Sequence, residues 1–266
     1  MSIKIGFIGA GNMGTAIMKG ISGSSADAEL FAYDPDTSKV NALAEYGVKP
    51  CTKETELVSE CKYIFLAVKP QIMGGVLETL APAVTADKVI ISIAAGITDD
   101  FIAGKTIPDA KVILVMPNTP LLIGEGASAL SHNDNVTEEE FSTVLEIFRL
   151  CGKASVISKD KMKEIIALNG SSPAFIYLFA KGFIDYAEKV GIDKNSATEL
   201  FTQSLIGSAK MITDSGYTID ELIKMVSSPG GTTLAGLDRL YEGNLTGIVD
   251  NCCESCTKRA YELAQE

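Results

Sequence analysis

The chain has 266 residues, 46% of them hydrophobic and 21% charged, with a net charge of −11 at pH 7. That length holds one large domain or two of ordinary size with ample core, and the composition is that of a folded globular protein rather than a disordered one. The acidic balance argues against a nucleic-acid or anionic-membrane partner, either of which needs a basic face, but leaves room for a small anionic ligand in a local pocket.

The chain opens on an apolar run, Ile3 to Gly9, followed at once by Gly9-Ala10-Gly11-Asn12-Met13-Gly14 and then by Ala16, Ile17 and Ile21 at helical spacing. Strand, glycine turn and helix in that order give G-x-G-x-x-G its meaning. The first glycine permits the tight turn, the second lets backbone approach a pyrophosphate, and the third lets helix and strand pack closely. A second strand, Leu30 to Tyr33, ends at Asp34, where an acid is expected to accept hydrogen bonds from the adenosine ribose hydroxyls. A carboxylate there repels a 2′-phosphate and leans towards NADH over NADPH, with Lys39 one helical turn on to offset part of the repulsion. The competing reading of Asp34 is a cap for a helix over Ser38 to Ala44.

Alternation continues through a strand at Tyr63 to Val68, a helix from about Gln71 to Leu80, a strand at Val89 to Ile93, a short helix near Asp99 and a strand at Val112 to Met116. Runs buried on both faces and separated by helices predict a parallel, doubly wound sheet. Three loops at strand ends, Val68-Lys69-Pro70-Gln71, Ser92 to Gly96 and Met116 to Pro120, fall where such folds bind ligands, and are expected to receive a nicotinamide and its ribose. Gly126 to Leu130, a helix from Thr137 to Leu150 with Thr137 and Glu140 as a capping box, and Ala154 to Ile157 complete this first domain, residues 1–158.

Near Ser158 to Lys163 the pattern changes. Helices are expected from about Met162, Pro173, Asn195, Thr218, Thr233 and Thr246, forming an all-α domain over residues 159–266. The helix after Ser172-Pro173 is apolar on nearly all sides (Ala174 to Phe179) and is predicted to lie in a dimer interface, since a helix with no polar face needs two partners. Val226 to Asp238 interrupts these helices with Pro229, Gly230 and Gly231, the residues least suited to continuing one. Directly behind the break, Thr232 and Thr233 are expected to cap a helix over Leu234, Leu237 and Leu240, whose first N–H groups make a small anion site. The plain alternative is a helix-turn-helix corner.

The longest apolar runs, Val89 to Ala95 and Ala174 to Ala180, are core-sized, well short of the roughly 20 residues that span a bilayer. The N-terminus reads as a strand rather than a secretory signal, so a cytoplasmic location is expected. Among six cysteines only Cys253 and Cys256 have a C-x-x-C spacing, inside a helical pattern, and His132 is the sole histidine. Reduced thiols, buried or at an interface, are expected rather than a metal or redox centre. Hydrolytic catalysis lacks its serine–histidine pairing. A nicotinamide enzyme needs less, because the cofactor carries the hydride. An alcohol or ketone substrate would call for a lysine or histidine acid/base near the nicotinamide, whereas a cyclic imine, electrophilic once its nitrogen is protonated, would need only a hydroxyl to orient that nitrogen.

Nearly the whole chain resembles the pyrroline-5-carboxylate reductase family, through F-I-G-A-G-N-M-G (Phe7 to Gly14), A-V-K-P-Q (Ala67 to Gln71), S-I-A-A-G (Ser92 to Gly96), M-P-N-T-P (Met116 to Pro120), G-E-G-A (Gly124 to Ala127) and above all S-P-G-G-T-T (Ser228 to Thr233). The resemblance implies reduction of 1-pyrroline-5-carboxylate to L-proline by NADPH or NADH. It implies substrate binding by Ser228, Gly230, Gly231, Thr232 and Thr233, with Thr233 on the ring nitrogen as the catalytic hydroxyl and neighbouring N–H groups on the carboxylate. Ile8, Gly9, Ala10, Gly11, Asn12 and Met13 would hold the pyrophosphate; Val68, Lys69 and Pro70 would flank the nicotinamide ribose; Ala94 and Asn118 would lie on the nicotinamide side. It also implies a homodimer with interlocked helical domains, in some members stacked into decamers, whose substrate pocket is completed across the dimer. The chain departs from the family pattern at Leu114, where arginine is frequent, and in Asn169 to Phe175, which reads N-G-S-S-P-A-F in place of S-G-S-G-P-A-Y. On the same two-domain plan, a β-hydroxyacid dehydrogenase would place a catalytic lysine on the first long helix after the first domain, for which Lys161 and Lys163 are candidates that fall before that helix settles, and a non-catalytic dinucleotide-binding protein would leave Thr233 without a purpose.

Overall fold

A computed structural model describes residues 2–24 and 27–263. The chain forms two compact units, one reaching to Pro173 and resuming at Ser255, the other Ala174–Glu254. No helix among the described residues is long and apolar enough to cross a membrane.

The first unit is built on a sheet whose described strands are β1 (Ile3–Ile8), β2 (Ala28–Tyr33), β3 (Lys49–Pro50), β4 (Tyr63–Leu66), β5 (Val89–Ser92), β6 (Lys111–Met116), β7 (Gly126–His132) and β8 (Gly152–Val156), in the order β3-β2-β1-β4-β5-β6-β7-β8. β4 and β5 are buried along their whole length, as strands covered by helices on both faces must be. On one face Phe7, Phe65, Ile91 and Val115 pack against Ile17 of α1 (Asn12–Ser22) and Phe148 of α6 (Glu138–Arg149), with the Phe7 and Phe65 rings stacked at 4.5 Å. On the other, Ile64, Leu66 and Ile90 meet Leu57 of α3 (Glu54–Glu60), Met73 and Leu77 of α4 (Pro70–Leu80) and Ile102 of α5 (Asp99–Lys105). Strand order reverses between β1 and β4, which puts a crevice outside their carboxyl ends. The capping box of α6 forms as expected, Thr137 and Glu140 each bonding the other's backbone N–H.

The sheet is mostly, not wholly, parallel: β7 runs antiparallel to β6. Between them lie only nine residues, Pro117-Asn118, a 3-10 turn over Thr119–Ile123, and Gly124-Glu125, whereas a parallel crossover needs a dozen or more residues. β8 is parallel to β7 again because α6 supplies the crossover. Two elements had no distinct sequence pattern. β3 pairs only two residues with β2, and α3 buries only Leu57 and Val58.

The α-helix expected from about Met162 is replaced by a 3-10 turn, Lys159–Lys161, and a π-turn, Ile166–Gly170, in which the Ser171 N–H reaches back to the Ile166 carbonyl at 2.8 Å. This segment packs on β6 and β7, so the compact units divide at Pro173 and not at the change of sequence pattern near 158. The end of α11 (Leu245–Leu263) returns to the same unit: Tyr261 donates to Glu164 at 3.1 Å, its ring lies 4.6 Å from Lys163 Nζ, and Cys256 Sγ lies 3.2 Å from Ser171 Oγ.

The second unit comprises most of α7 (Ser172–Lys189), then α8 (Lys194–Asp214), α9 (Ile219–Met225), α10 (Thr232–Glu242) and the start of α11. Phe183 stacks on Phe201 at 4.4 Å with Phe179 edge-on to Phe183, holding α7 to α8. A second capping box, Thr218 with Glu221, starts α9. Much of the apolar surface stays uncovered, including Tyr177, Leu178 (71% exposed), Phe179, Tyr186 and Leu200 (69% exposed). Exposure on this scale marks a surface for association. All six cysteines are free thiols. Burial pushes Cys61 up to about 12 and Cys151 to about 11, which keeps both protonated at neutral pH.

Candidate active site

At the end of β1 the backbone turns through Gly9 at φ 102°, and a Cβ there would stand 2.5 Å from the Ala67 carbonyl oxygen of the β4 end. A Cβ on Gly14 would stand 2.6 Å from the Gly9 oxygen. Nothing lies within 4 Å of a Cβ on Gly11, which is the N-cap of α1 and caps it with no side chain. The first-turn N–H groups of α1 thus have no acceptor within their helix and open beside an unobstructed backbone, an arrangement that suits a diphosphate.

Asp34 is 8% exposed and touches this loop directly. Its Oδ2 accepts from the Ala10 N–H at 2.9 Å, its Oδ1 from the Asp36 N–H at 2.9 Å, and Lys39 Nζ stands 3.5 Å from Oδ1. The helix-capping alternative for Asp34 is not what forms: Asp36 caps α2 (Thr37–Asn41), accepting from the Ser38 N–H. α2 is also shorter than the helix expected to Ala44, ending before a 3-10 turn at Ala44–Tyr46.

Beyond β4, Val68 packs on the second core while Lys69 is exposed as the N-cap of α4 and Pro70 fills its first turn, where proline loses no hydrogen bond. Beyond β5, the Ala94 N–H meets Ser92 Oγ at 3.4 Å. Beyond β6, Asn118 is buried and its Oδ1 accepts from the Ala127 N–H at 2.8 Å. Ser92, Ala94, Thr98, Asp99, Met116 and Lys159 are among the residues lining a cavity of about 470 Å³ at the β5 and β6 ends. The fold therefore gathers the glycine loop, Asp34 and the strand-end loops at the carboxyl edge of one sheet. Residues 159–173 contribute contacts that no motif in the sequence announces: the half-exposed Lys159 pairs with the buried Asp99 at 2.5 Å, and the buried Asn169 donates through Nδ2 to the Met116 and Ala127 carbonyls at 2.7 and 3.0 Å. Of the two lysines that a β-hydroxyacid dehydrogenase would use, Lys161 is ion-paired with Asp160 and Glu164, and Lys163 sits over Tyr261.

In the second unit, α9 ends at Met225 and the chain turns at Ser228, whose carbonyl accepts from the Gly231 N–H at 2.9 Å. Gly230 turns at φ 72°, and a Cβ on Gly231 would stand 2.7 Å from Ser228 Oγ. Both glycines are thus required by the turn. Contrary to expectation, Thr232 and Thr233 do not cap α10. Gly231 is the N-cap, and the threonines are the first two helical residues. The turn sets the helix start one residue earlier than a threonine cap needs. Its consequence is that both hydroxyls are exposed and, among the described residues, neither has a hydrogen-bond partner. The N–H groups of Thr232, Thr233 and Leu234 likewise have no acceptor within the helix.

Of the departures, Leu114 is buried in β6 and lines the same cavity, Asn169 makes the contacts just given, Ser172 Oγ donates to the Leu168 carbonyl at 2.6 Å, and Phe175 is half-exposed on α7.

A family model described as "Pyrroline-5-carboxylate reductase dimerisation" matches residues 159–263, and one described as "NADP oxidoreductase coenzyme F420-dependent" matches residues 4–96. The chain is 36% identical over 268 aligned residues, covering all of both chains, to the pyrroline-5-carboxylate reductase of Escherichia coli. It is 33% identical to that of Pisum sativum, over 99% of this chain and 97% of the relative. A solved pyrroline carboxylate reductase of Plasmodium falciparum with NADP bound superposes with a TM-score of 0.90 at 31% identity, over 98% of each chain, and one from Coxiella burnetii at 0.92 and 29%, over 99% of each. Full-length identity at this level, together with the shared fold, places the chain in the pyrroline-5-carboxylate reductase family.

Proposed function

We propose that this chain is an NAD(P)H-dependent reductase that converts 1-pyrroline-5-carboxylate to L-proline, the last step of proline biosynthesis. The observation that carries the reading is the S-P-G-G-T-T turn, where a glycine cap leaves the Thr233 hydroxyl and the first-turn N–H groups unspent. When bound, the nicotinamide supplies a hydride to the imine carbon, while the ring nitrogen, protonated from solvent, becomes the secondary amine of proline. Thr233 Oγ1 orients the ring nitrogen; Gly230 and Gly231 let the substrate carboxylate approach the N–H groups of Thr232 and its neighbours, with Ser228 beside them.

The glycine cradle fits a dinucleotide, because at Gly9 and Gly14 a Cβ would collide with neighbouring backbone, which keeps the turn tight, while the space beside Gly11 stays open. Ile8, Gly9, Ala10, Gly11, Asn12 and Met13 hold the pyrophosphate, Asp34 the adenosine ribose, Val68, Lys69 and Pro70 the nicotinamide ribose, and Ala94 and Asn118 the nicotinamide side. Asp34 leans the choice towards NADH. The helical region 159–266 makes a homodimer, supported by the apolar surface of α7 and α8, with decamer assembly a further step of the same proposal. The net charge of −11 supports a reading without nucleic-acid or anionic-membrane partners, and a cytoplasmic location belongs to the same proposal.

The test is oxidation of NADH or NADPH by the purified chain. It should depend on added 1-pyrroline-5-carboxylate and yield L-proline. Turnover of a 3-hydroxy acid with none of the imine would contradict the reading.

A further inference from the structure

Ala127 of β7 lies two residues beyond Ala129, the last β7 residue paired with β6, at Met116. Its peptide groups are taken instead by two side-chain amides, the N–H by Asn118 Oδ1 at 2.8 Å and the carbonyl by Asn169 Nδ2 at 3.0 Å. The same Nδ2 donates to the Met116 carbonyl at 2.7 Å. Asn169 thereby holds both sides of the loop that presents Asn118: the strand that enters it at Met116 and the residue that Asn118 itself grips. Two carbonyl acceptors fix which end of the amide is nitrogen.

The π-turn Ile166–Gly170 buries Asn169, and the glycine after it lies so close to Met116 that a Cβ would come within 3.2 Å of its Sδ. Single-turn π-bulges of this kind recur at functional sites. Asn169 Oδ1 is buried and has no partner within the described structure, a destabilising feature that an apolar residue would avoid.

We propose that Asn169 is a positioning residue for hydride transfer, acting through the Met116–Ala127 loop to hold Asn118. This rests on the reading of Asn118 as a nicotinamide-side residue. Serine, which stands at this position in the family pattern, has one hydroxyl donor and can serve only one of the two carbonyls at a time.

The test compares the full-length wild type with N169A, N169S, N118A and the N118A/N169A pair. It measures steady-state rates, the kinetic isotope effect with NADH deuterated at C4, NADH affinity by fluorescence, and Tm. N169A should lower kcat by about 10-fold or more and raise the isotope effect, because misplacement slows the chemical step, while NADH affinity stays near that of the wild type. N169S should fall between the two, and it carries the comparison if N169A does not fold. The double variant should be no slower than N118A, as expected of residues acting through one contact. A wild-type kcat and isotope effect in N169S and N169A, a kcat loss with an unchanged isotope effect, or additive losses in the double variant would overturn the proposal. If N118A itself matches the wild type, the reading of Asn118 fails; if N118A is impaired and the Asn169 variants are not, only the positioning role does.

Discussion

The Ala10 N–H donates to Asp34 Oδ2 at 2.9 Å, so the acid at the end of β2 is tied to the glycine loop at the end of β1. One carboxylate both braces the loop and presents negative charge where an adenosine ribose is expected. Asp34→Ser should therefore raise kcat/KM for NADPH relative to NADH by roughly 10-fold or more, since a unit charge is removed beside a 2′-phosphate. It should also weaken NADH, because Ala10 loses its acceptor. Paired kinetics with the two coenzymes check both effects.

Lys39 stands 3.5 Å from Asp34 and 3.9 Å from Asp36, and it is half-exposed. Lys39→Ala should widen the preference for NADH by removing a cation that offsets the repulsion of a 2′-phosphate. The effect should shrink with added salt, as screening predicts for an exposed charge. A ratio of kcat/KM values unchanged at low and high ionic strength would count against Lys39 as an offsetting charge.

Gly231→Ala forces a Cβ to within 2.7 Å of Ser228 Oγ and 3.0 Å of its carbonyl oxygen, so the turn before α10 must shift. KM for 1-pyrroline-5-carboxylate should rise by about 10-fold or more, with NADH affinity retained. Substrate titrations at saturating coenzyme, beside a fluorescence titration with NADH, separate the two.

Glu140 provides a pH test of the first unit. Burial alone would raise its pKa, but hydrogen bonds from Lys111, the Thr137 N–H and Lys62 outweigh burial and lower it from 4.5 to about 2. A depressed carboxylate stabilises the fold above its unfolded pKa and loses that contribution as pH falls through the folded value. Glu140→Gln should thus cost about 3 kcal/mol at most at neutral pH, and the gap should narrow between pH 4.5 and 2. Denaturant unfolding across that range measures it.

The glycine turn, the strand runs and the Thr137–Glu140 capping box were legible because each depends on neighbours in sequence. The direction of β7 was legible in principle from the nine residues 117–125 between it and β6, too few for a parallel crossover, but apolar periodicity alone does not report direction. The cap of α10 escaped because Gly231 must be glycine for the Ser228 turn and then takes the cap position ahead of Thr232. Asn169 escaped because its partners, the Met116 and Ala127 carbonyls, are backbone atoms some fifty and forty residues earlier, and no side-chain pattern records such a contact.

If Thr233 acts on the imine substrate while the first unit's loops hold the coenzyme, Thr233→Ala separates the two roles, with kcat/KM for 1-pyrroline-5-carboxylate and the NADH dissociation constant measured on one preparation. The expected result is a loss of about 10-fold or more in kcat/KM with NADH affinity kept within about twofold. An equal loss of both, or unimpaired turnover, would contradict it.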